Sequence, residues 1–379
     1  MRIGIAGWFG SDNLGDEILL HTLVSCVRSV DESASFVVFS PNPDRVAALH
    51  RVDAERMPTL RARGAVGRQG TAQRAIRDCD ILFLGPGTVF QERSPNLPWP
   101  GTLPLFARIV GMARLARTPV APVGVGVREG GTPAGRRLLR VIGAASVAIG
   151  VRDQRSGSYF GARAQVIGDV AYALPIPDTQ PAAAVEEAAG SARPTFALSM
   201  RPLAPDTEAG LLLSIGGCLD RLQADGWTGD FLPMAFGQDA QGEDDRDIYR
   251  RAFGNVLGLA GNPLNDREGT TLAGALDGWL TALAGYRLVI GTRLHAAVMA
   301  VALGVPTVAI AYERKVHDAF VDLGLGRFVV GPDVDAETLH RTATAAAGSP
   351  AEFREAAGRV ARQGRIAREF VTATLKGLG

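Results

Sequence analysis

Short apolar runs alternate with helical patterns along the chain, as repeated strand–helix units do. In the first half, runs at 3–6, 36–39, 81–84, 120–127, 147–151 and 165–167 predict strands. Amphipathic stretches at 17–30, 103–116 and 134–144 predict the helices between them, and Asp153 is placed to cap or open another over 154–160. From 173 to 194 Pro, Ala and acidic residues replace any sustained apolar face, which predicts an interdomain linker at 176–194. A second series follows, with strands at 196–200, 229–232, 288–290, 307–310 and 328–330 and helices near 208–224, 270–284 and 293–303. The expected fold class is α/β, with two Rossmann-like doubly wound domains, 1–175 and 195–350, facing across a cleft. A helix over 351–379 ends the chain and could return to the first domain.

Composition adds limits. At 379 residues the chain exceeds one core of usual size, in keeping with two domains. A formal charge of +1 supplies no broad basic field, so no nucleic-acid partner is expected. Cys26, Cys79 and Cys218 are scattered without metal-ligand spacing, so neither a disulfide framework nor a metal site is expected. Met1-Arg2 leads straight into an apolar strand, and no stretch reaches membrane-spanning length, so a soluble, cytoplasmic protein is expected.

The candidate chemistry lies at strand ends. The run 288–290 followed by Gly291-Thr292-Arg293-Leu294-His295 reads as a buried strand, a turn with Thr292 as helix N-cap, and a helix whose first turn carries Arg293 and His295. Cations there oppose the helix dipole, and an anionic ligand would remove the conflict. Arg201 ends the first strand of the second series. Its planar fork suits a carboxylate or phosphate, or else pairs on the surface with Asp206 or Glu208. In the first half, Gly7-Trp8-Phe9-Gly10-Ser11-Asp12-Asn13-Leu14-Gly15-Asp16-Glu17 joins strand to helix. It lacks the dinucleotide spacing and the Walker lysine, so it reads either as a loop capped by Asp16 or as a floor for a polyhydroxylated acceptor. Gly85-Pro86-Gly87-Thr88 reads as a strand-ending turn or as part of the same floor.

Taken in order, several segments resemble the polysaccharide pyruvyl transferase family. They are 10–17 with Asn13-Leu14-Gly15-Asp16-Glu17, 85–91, Val123-Gly124-Val125-Gly126, Val151-Arg152-Asp153 with Ser156, and Gly168-Asp169. Ser199 and Arg201, Gly291-Thr292-Arg293-Leu294-His295-Ala296, Gly304-Val305-Pro306 and Tyr312-Glu313-Arg314-Lys315-Val316 complete the set. The resemblance implies a GT-B-like fold and transfer of pyruvate from phosphoenolpyruvate, a co-substrate rather than a cofactor, onto a sugar, glycoside or glycan-precursor acceptor as a ketal. By motif position it implies that Arg201, Arg293, Leu294 and His295 bind the donor, with Lys315 adding charge near the leaving phosphate or simply solvated. His295 becomes the expected general acid and Asp16 the expected base; Gly10, Asn13, Asp16, Gly87 and Thr88 are the expected acceptor residues. The family usually has Gly-Gly-Gly where this chain has Gly85-Pro86-Gly87, a departure on the acceptor side. The architecture alone would also serve a glycosyltransferase using a nucleotide sugar, or a non-catalytic binding descendant.

Overall fold

The computed structural model describes residues 1–58, 66–92, 101–128, 131–176, 193–236, 244–264 and 271–378. The expected linker therefore lies almost wholly outside the described residues. The chain forms two compact units: Met1–Ser11, Asp16–Leu174 and Gln363–Gly379 in the first, Asp12–Gly15 and Pro175–Arg362 in the second.

In the first unit β1 (Arg2–Ala6), α1 (Leu14–Arg28), β2 (Ser35–Ser40), α2 (Pro43–His50), β3 (Asp53–Arg56), α3 (Val66–Arg77) and β4 (Ile81–Leu84) follow one another. Then come β5 (Gly87–Gln91), α4 (Leu103–Ala116), β6 (Val120–Pro122), β7 (Val125–Arg128), α5 (Pro133–Ala145), β8 (Ile149–Val151), α6 (Gln154–Ser158) and β9 (Ala164–Val166). A five-stranded parallel sheet has the order β3-β2-β1-β4-β6. Its chain direction across the sheet reverses between β1 and β4, so the loops after these two strands flank the switch point, where doubly wound sheets take ligands.

Two glycines divide what reads as continuous apolar sequence. Gly85 (φ +92°) and Gly124 (φ +60°) lie in the left-handed region. A Cβ on Gly85 would lie 2.8 Å from Val125 Cγ1 and 3.1 Å from Val123 O, and one on Gly124 would collide with Val170. There β4 gives way to β5 and β6 to β7, the later strands joining a second sheet, β5-β7-β8-β9. The expected single strand over 120–127 is thus two. Gly85-Pro86-Gly87 ends β4, as expected, but leads directly into the next strand, and Gly87 and Thr88 are residues of β5.

The loop after β1 is built on a buried carboxylate. Glu17 Oε1 accepts from Gly10 N (2.7 Å), and Oε2 meets His50 Nε2 at 2.7 Å with both side chains out of solvent. Asn42 Nδ2 donates to Gly10 O (3.0 Å). Gly10 sits at φ +76°, where a Cβ would lie 2.6 Å from Asn42 O.

The second unit holds β10 (Thr195–Ser199), α7 (Pro205–Ala224), β11 (Thr228–Phe231), α8 (Asp245–Ile248), β12 (Gly258–Leu259), α9 (Leu272–Ala284) and β13 (Leu288–Gly291). After these come α10 (Leu294–Ala302), β14 (Thr307–Ile310), α11 (Arg314–Asp322), β15 (Val329–Val330), α12 (Ala336–Ala347) and the start of α13 (Pro350–Lys376). Its sheet is parallel with order β12-β11-β10-β13-β14-β15, so its switch point falls between β10 and β13. The end of α13 belongs to the first unit, where Gly364 lies against the Tyr172 carbonyl without room for a Cβ and Arg368 Nη1 donates to Ala173 O (2.7 Å). Among the described residues no helix is long and apolar enough to cross a membrane.

Replacing Glu17 by Ala leaves the Gly10 N–H and the buried His50 ring without their acceptor. The expected cost is about 2–3 kcal/mol, the scale of stranding a buried polar group, read as a lower urea midpoint at unchanged slope. An unchanged midpoint would mean that the Gly10 turn holds itself without Glu17.

Candidate functional site

Three neighbouring strands of the second unit end at one level. In register, Ser199 of β10 pairs with Gly291 of β13, and Gly291 with Ala309 of β14. Arg201 leaves the end of β10, Thr292 and Arg293 that of β13, and Tyr312 that of β14. Thr292 is not the helix cap: its Oγ1 accepts from Arg201 N (3.0 Å), tying the first strand end to the second. The Arg201 guanidinium reaches Tyr312, with Nη1 donating to the hydroxyl (2.8 Å) and Cζ 5.2 Å from the ring centre. Glu208, a surface partner considered for Arg201, instead accepts from Leu203 N (3.0 Å) and pairs with Arg251.

Arg293 corrects a second expectation. It occupies the N-cap position of α10 in extended backbone (φ −77°, ψ 111°), outside the first turn, and is buried. Its fork is engaged within the protein: Nε donates to Asp245 Oδ2 (3.0 Å) and Nη2 to Oδ1. The conflict of a cation at a helix N-terminus is therefore relieved from inside the protein. Asp245 is fully buried; burial pushes its carboxyl above the ordinary range, while the Arg293 guanidinium and two backbone N–H groups pull it back. Those N–H groups are Met234 N (2.9 Å) and Ala235 N (3.1 Å), both on Oδ2.

The same segment carries the opening loop. Leu14 N donates to Met234 O (2.7 Å), Phe236 N to Asp12 O (3.1 Å), and Asn13 bridges antiparallel to Ala235. Asn13 Oδ1 accepts from Gly15 N (3.1 Å) just ahead of Leu14, so Asn13, not Asp16, caps α1. Asp16 is the third residue of that helix, half-buried, where a carboxylate favours the dipole. A Cβ on Gly15 would lie 2.8 Å from His295 Cγ and closer still to Nδ1, so the imidazole occupies the space that any side chain at 15 would need. The loop motif and the Arg-Leu-His motif, remote in sequence, meet at this contact.

The other expected residues sort by what holds them. Leu294 is buried at the first position of α10. Lys315 is partly exposed and pairs with Glu313 (2.8 Å) beside Tyr312, so it is neither simply solvated nor isolated. Gly10 has its N–H and carbonyl engaged by Glu17 and Asn42, and Gly87 is buried in β5. Thr88 accepts from Arg152 Nη1 (3.1 Å), which places Arg152, unassigned by the motif reading, at the end of β8 against β5. Asp245, Gly15 and Tyr312 were missed. A helix-opening glycine, a poor helix former, was the one signal that Gly15 was needed for something else.

A family model described as polysaccharide pyruvyl transferase matches residues 13–314. Solved structures share the fold at low identity. UDP-GlcNAc 2-epimerase from Neisseria meningitidis bound to UDP-GlcNAc is 12% identical, with TM-score 0.58 and 100% of both chains covered. A glycosyltransferase from Rickettsia africae is 9% identical (TM-score 0.56), covering 99% of this chain and 98% of that one. UDP-GlcNAc 2-epimerase from Methanocaldococcus jannaschii is 13% identical (TM-score 0.54), covering 90% and 91%. The fold is thus GT-B-like, with parallel-sheet α/β units.

Two outcomes follow from the site. Asp245→Ala removes the carboxylate from a buried guanidinium and two backbone amides and should cost about 3–5 kcal/mol in urea unfolding, whereas Asp245→Leu with Arg293→Met should regain only the part due to the buried charge, the Met234 and Ala235 amides still lacking that acceptor. Equal stability of Asp245→Ala and the parent would show that the clamp holds nothing. Gly15→Ala puts a Cβ where the His295 ring lies, so it should cost about 1–3 kcal/mol by overpacking and shift the His295 imidazole NMR resonances. Unmoved resonances would mean the ring has room to spare.

Proposed function

The chain belongs to the polysaccharide pyruvyl transferase family, and from that premise we propose that it moves pyruvate from phosphoenolpyruvate onto two hydroxyls of a sugar, glycoside or glycan-precursor acceptor, forming a ketal and releasing phosphate. The observation that carries the reading is the constellation at the switch point of the second unit. Arg201, the N-terminus of α10 and His295 gather donors for an anion beside an imidazole packed on Gly15.

Arg201 is assigned to an oxyanion of the donor, which a planar guanidinium suits. Arg293 acts through Asp245, fixing the start of α10 so that the N–H groups of its first turn face the ligand. Lys315, steadied by Glu313, adds positive charge near the leaving phosphate. In the reaction a proton goes to C3 of phosphoenolpyruvate, which makes C2 electrophilic. One acceptor hydroxyl adds at C2 and gives up its proton; the C–O bond to phosphate breaks; the second hydroxyl closes the ketal and loses its proton in turn. His295 is assigned as the acid, since an imidazole exchanges protons near neutral pH. Asp16, which directly follows the residue that abuts His295, is assigned as the base. Asn13, Gly10, Gly87 and Thr88 stay the proposed acceptor side, with the glycines shaping the backbone and Thr88 and Asn13 supplying polar side chains.

In heavy water each transferred group should gain one deuterium in a methyl group by mass and NMR; a retained methylene would mean enolpyruvyl transfer to one hydroxyl. His295→Gln should slow turnover by about 10²–10⁴ with donor affinity within about tenfold. Near-normal turnover in that variant would leave His295 a phosphate ligand at most. Phosphoenolpyruvate should raise the Tm, as a ligand of the folded state must; a rise with a nucleotide sugar instead would select glycosyl transfer.

A further inference from the structure

With the Arg293 fork closed on Asp245 and Lys315 paired to Glu313, much of the cationic charge near these strand ends is balanced within the protein. A ligand carrying both a carboxylate and a phosphate then depends more on neutral donors aimed at it. Tyr312 answers that need. β10 and β14 both flank β13, so the backbones carrying Arg201 and Tyr312 stand about 9–10 Å apart, two ladder spacings. Their side chains meet across the end of β13, with the guanidinium against the ring and Nη1 on the hydroxyl at 2.8 Å.

A phenol is both acceptor and donor. Here the oxygen accepts from Arg201, and among the described residues that is the hydroxyl's one hydrogen bond, so its hydrogen is still available. Tyr312 is half-buried, close enough to the strand ends to be held and open enough to meet a ligand. An oxygen accepting from a guanidinium is polarised and becomes the stronger donor.

We infer that Tyr312 is a donor-site contact residue, its O–H donating to the same oxyanion that Arg201 binds, so that the anion is held by an arginine–tyrosine pair rather than by two arginines. The inference rests on the pyruvyl-transfer reading.

The test compares the full-length protein with Tyr312→Phe, Arg201→Ala and the double variant, titrating phosphoenolpyruvate by calorimetry and, for the weak variants, by phosphorus NMR. Tyr312→Phe keeps the ring over Arg201 and removes only the hydroxyl. It should weaken phosphoenolpyruvate about ten- to hundredfold at unchanged Tm, raising the donor KM far more than it lowers kcat. In the Arg201→Ala background it should still weaken the donor several-fold. A loss confined to the Arg201 background would reduce Tyr312 to a support for that arginine and overturn the contact, as would unchanged affinity in Tyr312→Phe. Parallel titrations with inorganic phosphate and with pyruvate show which oxyanion is met: the ligand whose affinity falls in Tyr312→Phe carries it, and a fall in neither overturns the contact. A parent protein that binds no phosphoenolpyruvate would overturn the pyruvyl-transfer reading itself, and the Tyr312 assignment with it.

Discussion

The carboxylate of Asp245 is surrounded by four donors, two from one guanidinium and two from consecutive backbone amides, and much of the second unit's geometry is referred to it. A charge this deeply buried is tolerated only when its lone pairs are filled, because desolvation otherwise outweighs the attraction to a single partner. Filling them joins three pieces of chain. Arg293 fixes the start of α10; the 234–236 segment fixes Asp12–Leu14 by ladder-like bonds; and Gly15, next in line, meets the imidazole that α10 presents one residue after its start. The circuit closes on itself, so His295 is positioned from two directions by one buried anion.

The first unit solves its own switch point differently. Around Gly10 the backbone groups are engaged by Glu17 and Asn42, and around Gly85 and Gly124 the close approach of neighbouring chains leaves no room for side chains. These glycines therefore set shape rather than offer hydrogen bonds. Of the side chains expected on that side, Asp16 stands in the first turn of α1, and Thr88, within β5, is oriented by Arg152.

What the sequence made legible follows the strength of its periodic signal. The helix Leu103–Ala116 and the strand Thr307–Ile310 stand at the expected residues because each is bounded by clear breakers and has one unbroken apolar pattern. β3, Asp-Ala-Glu-Arg at a sheet edge, has no such pattern and could not be read. The division of 120–127 depends on what Val170 places beside Gly124, a tertiary fact absent from local sequence. Thr292 and Asp16 were misjudged as caps for a related reason: cap propensity is a local rule, and here the neighbouring strand took the threonine while Asn13 lay earlier in the loop. Asp245 was least visible of all, since Asp244-Asp245-Arg246-Asp247 has the composition of a solvated surface.

The most instructive reading was the cation at the start of α10. The sequence correctly marked Arg293 as electrostatically misplaced for an isolated helix, and the inference that an anion must relieve it was sound. Such an argument fixes the sign of the partner but not whether it is a ligand or a side chain far along the chain. With Asp245 in that role, Arg293 is part of the scaffold that fixes the start of α10. Arg201 is tied to the neighbouring strand by its backbone, Tyr312 leans on the Arg201 guanidinium, and His295 is seated against Gly15, so each of these groups is held in place by the scaffold itself, as preorganised polar groups must be.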